Sequence, residues 1–131
     1  MAGLHFELVS PARLLFSGDV ASVNIPGTEG EMGILPGHAP VLSTLRPGVV
    51  VINKETGAPE KIFVRGGFAE VNPSGLTVLA ETAIPLAELD TAALAAQVKD
   101  AEEDVADAKD DETRRRASEN LEHLKDLQRA L

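Results

Sequence analysis

Glu29 and Glu31 stand two residues apart in a glycine-rich stretch, with His38 seven positions beyond Glu31. Two carboxylates and an imidazole are the raw material of general acid/base catalysis, provided a fold brings them together. The competing reading makes them polar residues of a loop that meets a partner. The other reactive types are thinner still. His5, His38 and His123 lie in unrelated contexts without metal-ligand spacing, so the expectation is no metal site. There is no GxxxxGK[ST] phosphate loop, no GxSxG nucleophile elbow and no cysteine. Gly66-Gly67 resembles a phosphate-cradling loop only superficially. It falls between two strand-like runs rather than before a helix, which suggests a tight turn or a bulge. The chain is therefore expected to need no cofactor and to have no catalytic residues.

The one dense basic run, Arg114-Arg115-Arg116, is flanked by Asp110, Asp111, Glu112 and Glu119, and this reads as a solvated helix face. A net charge of −9 repels nucleic-acid backbones and anionic lipid surfaces. No run of about 18 apolar residues is present to cross a membrane. The opening MAGLHFELVSPARLLF lacks the basic start, apolar stretch and small-residue cleavage site of a secretory leader, so none is expected.

The elements that must hold these residues divide the chain in two. All 11 Gly and 8 Pro lie at or before Pro85, and residues 86–131 contain neither. Because Gly and Pro punctuate turns and weaken helices, the change marks an all-β region followed by an all-helical one, 1–86 and 87–131. In the first region, apolar runs at 4–9, 13–16, 20–25, 33–35, 49–53, 61–64, 68–71 and 76–80 read as strands. Turn signals separate them at Ser17-Gly18, Pro26-Gly27, Pro36-Gly37, Pro47-Gly48, Thr56-Gly57, Gly66-Gly67 and Pro73-Ser74-Gly75. Many short strands with frequent turns imply a β-sandwich or a small barrel.

In the second region Asp90 is a suitable N-cap, and Leu94, Val98, Ala101, Val105 and Ala108 form one apolar stripe. A second stripe runs through Ala117, Leu121, Leu124 and Leu131, with Leu127 beside it. Leu94 and Leu121 are 27 residues apart. At about 100° per residue they would face opposite ways on one straight helix. Folding back near Asp110-Asp111 lets the stripes meet as an antiparallel hairpin.

Residues 27–48, GTEGEMGILPGHAPVLSTLRPG, resemble the signature of the epsilon subunits of bacterial F-type ATP synthases, and RGGFAEV (65–71), TVLAETAI (77–84) and FELVSPARLLFSGDV (6–20) follow that pattern. The resemblance covers about two-thirds of the chain well and the helical tail loosely. It implies a flattened β-sandwich of about ten strands followed by an antiparallel α-helical hairpin. It implies a non-catalytic rotor subunit of the central stalk, with the sandwich bound to the gamma subunit and touching the ring of c subunits. The family's ring-facing loop maps to Glu29, Gly30 and Glu31, with His38 as a further contact or a hydrogen-bonding tie. In the family the tail can rise along gamma and brake hydrolysis at the catalytic alpha and beta subunits; here Arg114, Arg115, Arg116, Lys125 and Arg129 could serve. The tail's 13 acidic and 7 basic residues from Glu88 onward, a net of −6, argue for a weak brake.

Some relatives carry an ATP-binding [IL]-D-x-x-R-A motif. Leu89-Asp90 matches its opening, but Ala93 replaces its arginine and Leu94 its alanine, so no nucleotide binding is expected and Asp90 is explained as a cap. The implied place is the cytoplasmic face of the bacterial inner membrane, as a peripheral part of the complex. Two other classes stand beside this one: a generic β-sandwich adaptor with a helical hairpin, and a small hydrolase built on Glu29, Glu31 and His38.

Overall fold

In β1 (Leu4–Val9) the inward Leu4, Phe6 and Leu8 are buried and His5 between them is exposed, the two-residue alternation of a strand with one face on a core. The computed structural model describes residues 3–131. Seven more strands follow: β2 (Leu14–Val20), β3 (Ser22–Gly27), β4 (Gly30–Ile34), β5 (Val41–Thr44), β6 (Gly48–Asn53), β7 (Glu60–Asn72) and β8 (Gly75–Pro85). They are hydrogen-bonded in the order β2-β1-β8-β7-β6-β3-β4, with β5 on β7; β1 and β8 run parallel and the other pairs antiparallel.

The two longest strands serve two layers. The first half of β7 pairs with β6 through Glu60–Val64, and the second half pairs with β5 through Phe68–Val71. Strand β8 follows β7 throughout but meets β1 only from Leu76 to Leu79. The result is a sandwich of two five-stranded layers, β2-β1-β8-β7-β5 and β8-β7-β6-β3-β4. Between them Phe6, Leu8, Ile25, Ile34, Ile52 and Val78, each at most 1% exposed, belong to one apolar core. The eight strands reconcile with a ten-strand expectation because β7 and β8 each count in both layers.

Gly66-Gly67 is neither a tight turn nor a bulge, and 61–64 and 68–71 are not separate strands. The register holds from Ile62↔Pro85 through Gly67↔Ala80 to Asn72↔Gly75 without a slip. Both glycines have positive φ, 74° and 99°, so the backbone bends sharply while its ladder continues. A Cβ on Gly67 would lie 1.9 Å from the Leu79 carbonyl oxygen, so the bend needs glycine for space as well as for φ. Two other turn signals are also overridden. Ser17-Gly18 lies inside β2, where Glu7↔Ser17 and Phe6↔Gly18 continue the ladder. Pro26-Gly27 ends β3, and the turn itself is Thr28-Glu29. The short β5, between Pro40 and Pro47, has no counterpart among the expected strands.

The helical part comprises α1 (Thr91–Asp107) and α2 (Asp111–Ala130), which pair as an antiparallel hairpin after a short 3-10 turn, Leu86–Glu88. The chain divides into compact units between Ala87 and Glu88. Asp90 caps α1 by accepting from the Ala93 amide at 3.1 Å, and Asp110 caps α2 by accepting from the Thr113 amide at 2.7 Å. No glycine or proline is required for the reversal, because Ala108 goes extended and Asp110 starts a new helix. Leu94, Val98, Ala101, Leu124 and Leu127 are buried. Leu131 is not part of the second stripe: α2 stops at Ala130, leaving Leu131 49% exposed while Leu127 is buried.

The bend supplies a direct test. Gly67→Ala is expected to destabilise the sandwich by more than about 2 kcal/mol, from clash and strain together. Gly33→Ala, whose Cβ would meet nothing nearer than Asn24 at 3.8 Å, is expected to stay within about 0.5 kcal/mol of the parent. Urea melts of the two variants check both.

Candidate docking surfaces

The acidic pair sits at the tip of the β3–β4 hairpin. Gly27 pairs with Gly30, and the two-residue turn between them presents Glu29, with Glu31 one step along β4; both carboxylates are exposed. Gly30 has φ 131°, a conformation that disfavours other residues. The tip is tied down from β5: the Thr28 amide donates to the Thr44 carbonyl at 3.0 Å, their hydroxyls bond at 2.9 Å, and the Arg46 amide donates to the Pro26 carbonyl at 3.0 Å. Glu29, Gly30 and Glu31 thus ride on a braced backbone.

His38 is not brought to that tip. It lies in the β4–β5 loop at the other end of β4, where its amide donates to the Leu35 carbonyl at 3.1 Å and Nδ1 donates to the Ala39 carbonyl at 2.7 Å. There it lines a cavity of about 410 Å³ with the start of β1 and the β7–β8 turn. An acid/base group of Glu29, Glu31 and His38 is therefore not assembled, and the hydrolase reading loses its constellation.

A second surface went unseen in the sequence. On the outer face of the β2-β1-β8-β7-β5 layer, Thr44 pairs with Phe68, Phe68 with Leu79, Leu79 with Val9 and Val9 with Leu14. This row crosses all five strands. Phe68 is 38% exposed, Leu79 40% and Leu14 59%, and Leu42 one row over reaches 68%. Apolar side chains concentrated on one face, rather than scattered singly, mark a docking surface. The signal was available in Leu76-Thr77-Val78-Leu79-Ala80, where Leu76, Val78 and Ala80 already fill the inward positions and Leu79 must point out.

The tail's basic residues are mostly engaged within the hairpin. Arg114 donates to Asp111 at 3.3 Å and to the Ala108 carbonyl at 3.1 Å. Arg115 donates to Glu119 at 3.0 Å, Arg116 lies 3.9 Å from Glu112, and Arg129 contacts Asp126 and Glu122. Each such exposed pair is worth only about 0.2–0.5 kcal/mol, so a partner can outcompete it, but the arginines are not idle cations. Lys125 is half-buried on the same helix. At the start of α1 the Asp90 carboxylate is committed to the cap, and Ala93 contributes its amide to that cap with no guanidinium beside it.

A two-layer sandwich with an acidic tip and an exposed apolar row, followed by a helical hairpin, defines a protein that works by holding other chains. Residues 3–86 match the family model described as ATP synthase, Delta/Epsilon chain, beta-sandwich domain, and the chain belongs to that family. It is 60% identical over 124 residues to the ATP synthase epsilon chain of Parvibaculum lavamentivorans, covering 95% of this chain and 94% of that one. It is 47% identical to ATP synthase epsilon chain 1 of Nitrobacter hamburgensis, covering 100% and 96%. Among solved structures, a chain of the Euglena gracilis mitochondrial ATP synthase (OSCP/F1/c-ring, rotational state 1) superposes with a TM-score of 0.80 at 29% identity, over 98% of this chain and 81% of that one.

The α2 cap makes a pH prediction. The Thr113 backbone hydrogen bond, then that residue's side chain, holds the Asp110 carboxyl below its ordinary value of 3.8. A lowered folded pKa means the cap's stabilisation is present above the ordinary value and is lost as pH falls through the lowered one. Acid titration of helical circular dichroism is expected to show a step below about pH 4 that Asp110→Asn, which still accepts the bond, flattens.

Proposed function

We propose that this chain is a non-catalytic rotor subunit of an F-type ATP synthase, in which one rigid sandwich joins the gamma shaft to the proton-driven ring of c subunits. The observation that carries the reading is the presence of two different docking surfaces on a single braced sandwich. The apolar outer row through Phe68, Leu79 and Leu14 suits a permanent, dry contact, and we assign it to gamma. The Glu29-Gly30-Glu31 tip suits a polar contact with c-subunit loops, where charge sets register and excludes wrong partners. His38, at the far end of β4, is left to tie its own loop.

Torque passes through such a part mechanically. Because the two layers share β7 and β8, a load on one layer reaches the other through a continuous hydrogen-bonded ladder rather than through side-chain packing alone. ATP is made elsewhere in the complex. Among the described residues no helix is long and apolar enough to cross a membrane, and the protein acts as a peripheral part of the complex. In a bacterium its place is the cytoplasmic face of the inner membrane. Residues 87–131 form the regulatory unit. Arg114, Arg115, Arg116 and Arg129 reach acidic segments of the catalytic subunits only by giving up bonds within the hairpin, and Lys125 is half-buried, so the brake on hydrolysis is weak.

The absence of cysteine allows a clean contact test. Glu31→Cys, in a complex with a cysteine introduced into the polar loop of subunit c, is expected to form a disulfide in high yield under mild oxidation. His38→Cys in the same complex is expected to form little or none. Equal yields from both positions would remove the tip from the ring contact.

A further inference from the structure

On the same outer face as the apolar row, His5 sits between two carboxylates from two strands. Its Nδ1 is 3.1 Å from Asp19 on β2, its cross-strand partner, and its Nε2 is 3.4 Å from Glu7 on β1. The Ser17 hydroxyl donates to the same Glu7 oxygen at 3.4 Å. A neutral imidazole carries one N–H and satisfies one of these carboxylates; only the imidazolium satisfies both. Asp19 first, and then Glu7, hold the His5 pKa above its ordinary 6.5.

The position of this cluster matters. Val9, Glu7 and His5 alternate along the outer face of β1, about 7 Å between successive members. A partner footprint of ordinary size, roughly 800 Å² per side, is large enough to reach from Val9, Leu79 and Phe68 along β1 to the cluster. Groups from the neighbouring elements face the same region. Strand β8 and the β7–β8 turn bring Thr77, Gly75, Ser74, Pro73 and Asn72, none of which titrates in this range. The β4–β5 loop brings His38 to the shared cavity, Glu55 of the β6–β7 loop approaches Gly3 at the head of β1, and Glu70 of β7 adds a further acid to the face. Among the described residues, His5 is thus the one basic group between Glu7 and Asp19.

Building on the assignment of this face to gamma, we propose that docking at the outer sheet face is proton-linked through His5, with the imidazolium form of the Glu7–His5–Asp19 cluster binding more tightly. The physical reason is desolvation. Covering two carboxylates bridged by a cation removes a net charge of about −1 from water, whereas covering them around a neutral imidazole removes about −2 with fewer hydrogen bonds to compensate. The favoured form takes up a proton on docking, so affinity falls as pH rises through the His5 titration.

The test measures binding of the full chain to a catalytic complex stripped of this subunit, between pH 6 and 9. The parent is expected to lose about three- to tenfold in affinity as pH rises, since each unit by which docking raises the imidazole pKa is worth about tenfold. His5→Gln is expected to bind with a flat profile, and Asp19→Asn to move the midpoint to lower pH. A flat parent profile, or an unchanged slope in His5→Gln, overturns the proton linkage. Leu79→Asp separates the two ideas: it is expected to weaken binding at every pH, and if it binds like the parent the face itself is wrong.

Discussion

One pair of glycines sets the terms for the rest of the molecule. At Gly66-Gly67 the β7–β8 ladder turns from one layer into the other without losing register, because φ values of 74° and 99° cost glycine little and no Cβ is present to strike the Leu79 carbonyl. With a side chain there, the ladder would have to break, and the layers would be held by packing and loops alone. The bend gives β5 its place beside the second half of β7 and β6 its place beside the first half. The end of β5 in turn braces the β3–β4 tip through Thr28 and Thr44. Both the acidic tip and the apolar outer row are downstream of that single backbone event.

The hairpin follows a different logic. Two aspartates, each accepting an amide three residues ahead, define where both helices begin, and the reversal needs no residue with special backbone freedom. Its arginines are spread over ion pairs within α2, each weak and solvent-exposed. A hairpin of this kind is held by many small terms rather than one lock, which permits rearrangement when a partner offers more. The sandwich, with one continuous core, has no such freedom.

Much of this is legible in the sequence. The exclusion of Gly and Pro from residues 86–131, the capping aspartates and the change of apolar face between Leu94 and Leu121 identified the hairpin and its reversal near Asp110. Strand β1 is legible at its true bounds because Leu4, Phe6 and Leu8 alternate cleanly. What failed had a common cause: local turn chemistry was outvoted by pairing across the sheet. Ser17-Gly18 and Gly66-Gly67 look like turns in isolation, but pairing with β1 and β8 keeps both inside continuous strands, the second as a bend that does not break the register. Strand β5 is not legible in the sequence because its Leu42 points outward, so its apolar pattern has no buried periodicity to report. The separation of His38 from Glu29 and Glu31 was not readable, since sequence proximity cannot reveal that β4 places them at opposite ends. The docking row depends on register across five strands, which no single strand encodes.

The role proposed for this sandwich is to couple the ring to the shaft. It is tested most directly by the number of protons pumped per ATP hydrolysed in membranes that lack the chain, with and without the purified protein added back. Without it, the catalytic complex is expected either to fail to assemble stably on the membrane or to hydrolyse ATP while pumping few protons, and add-back is expected to restore the ratio. Membranes without the chain that pump at the parental ratio would contradict the claim.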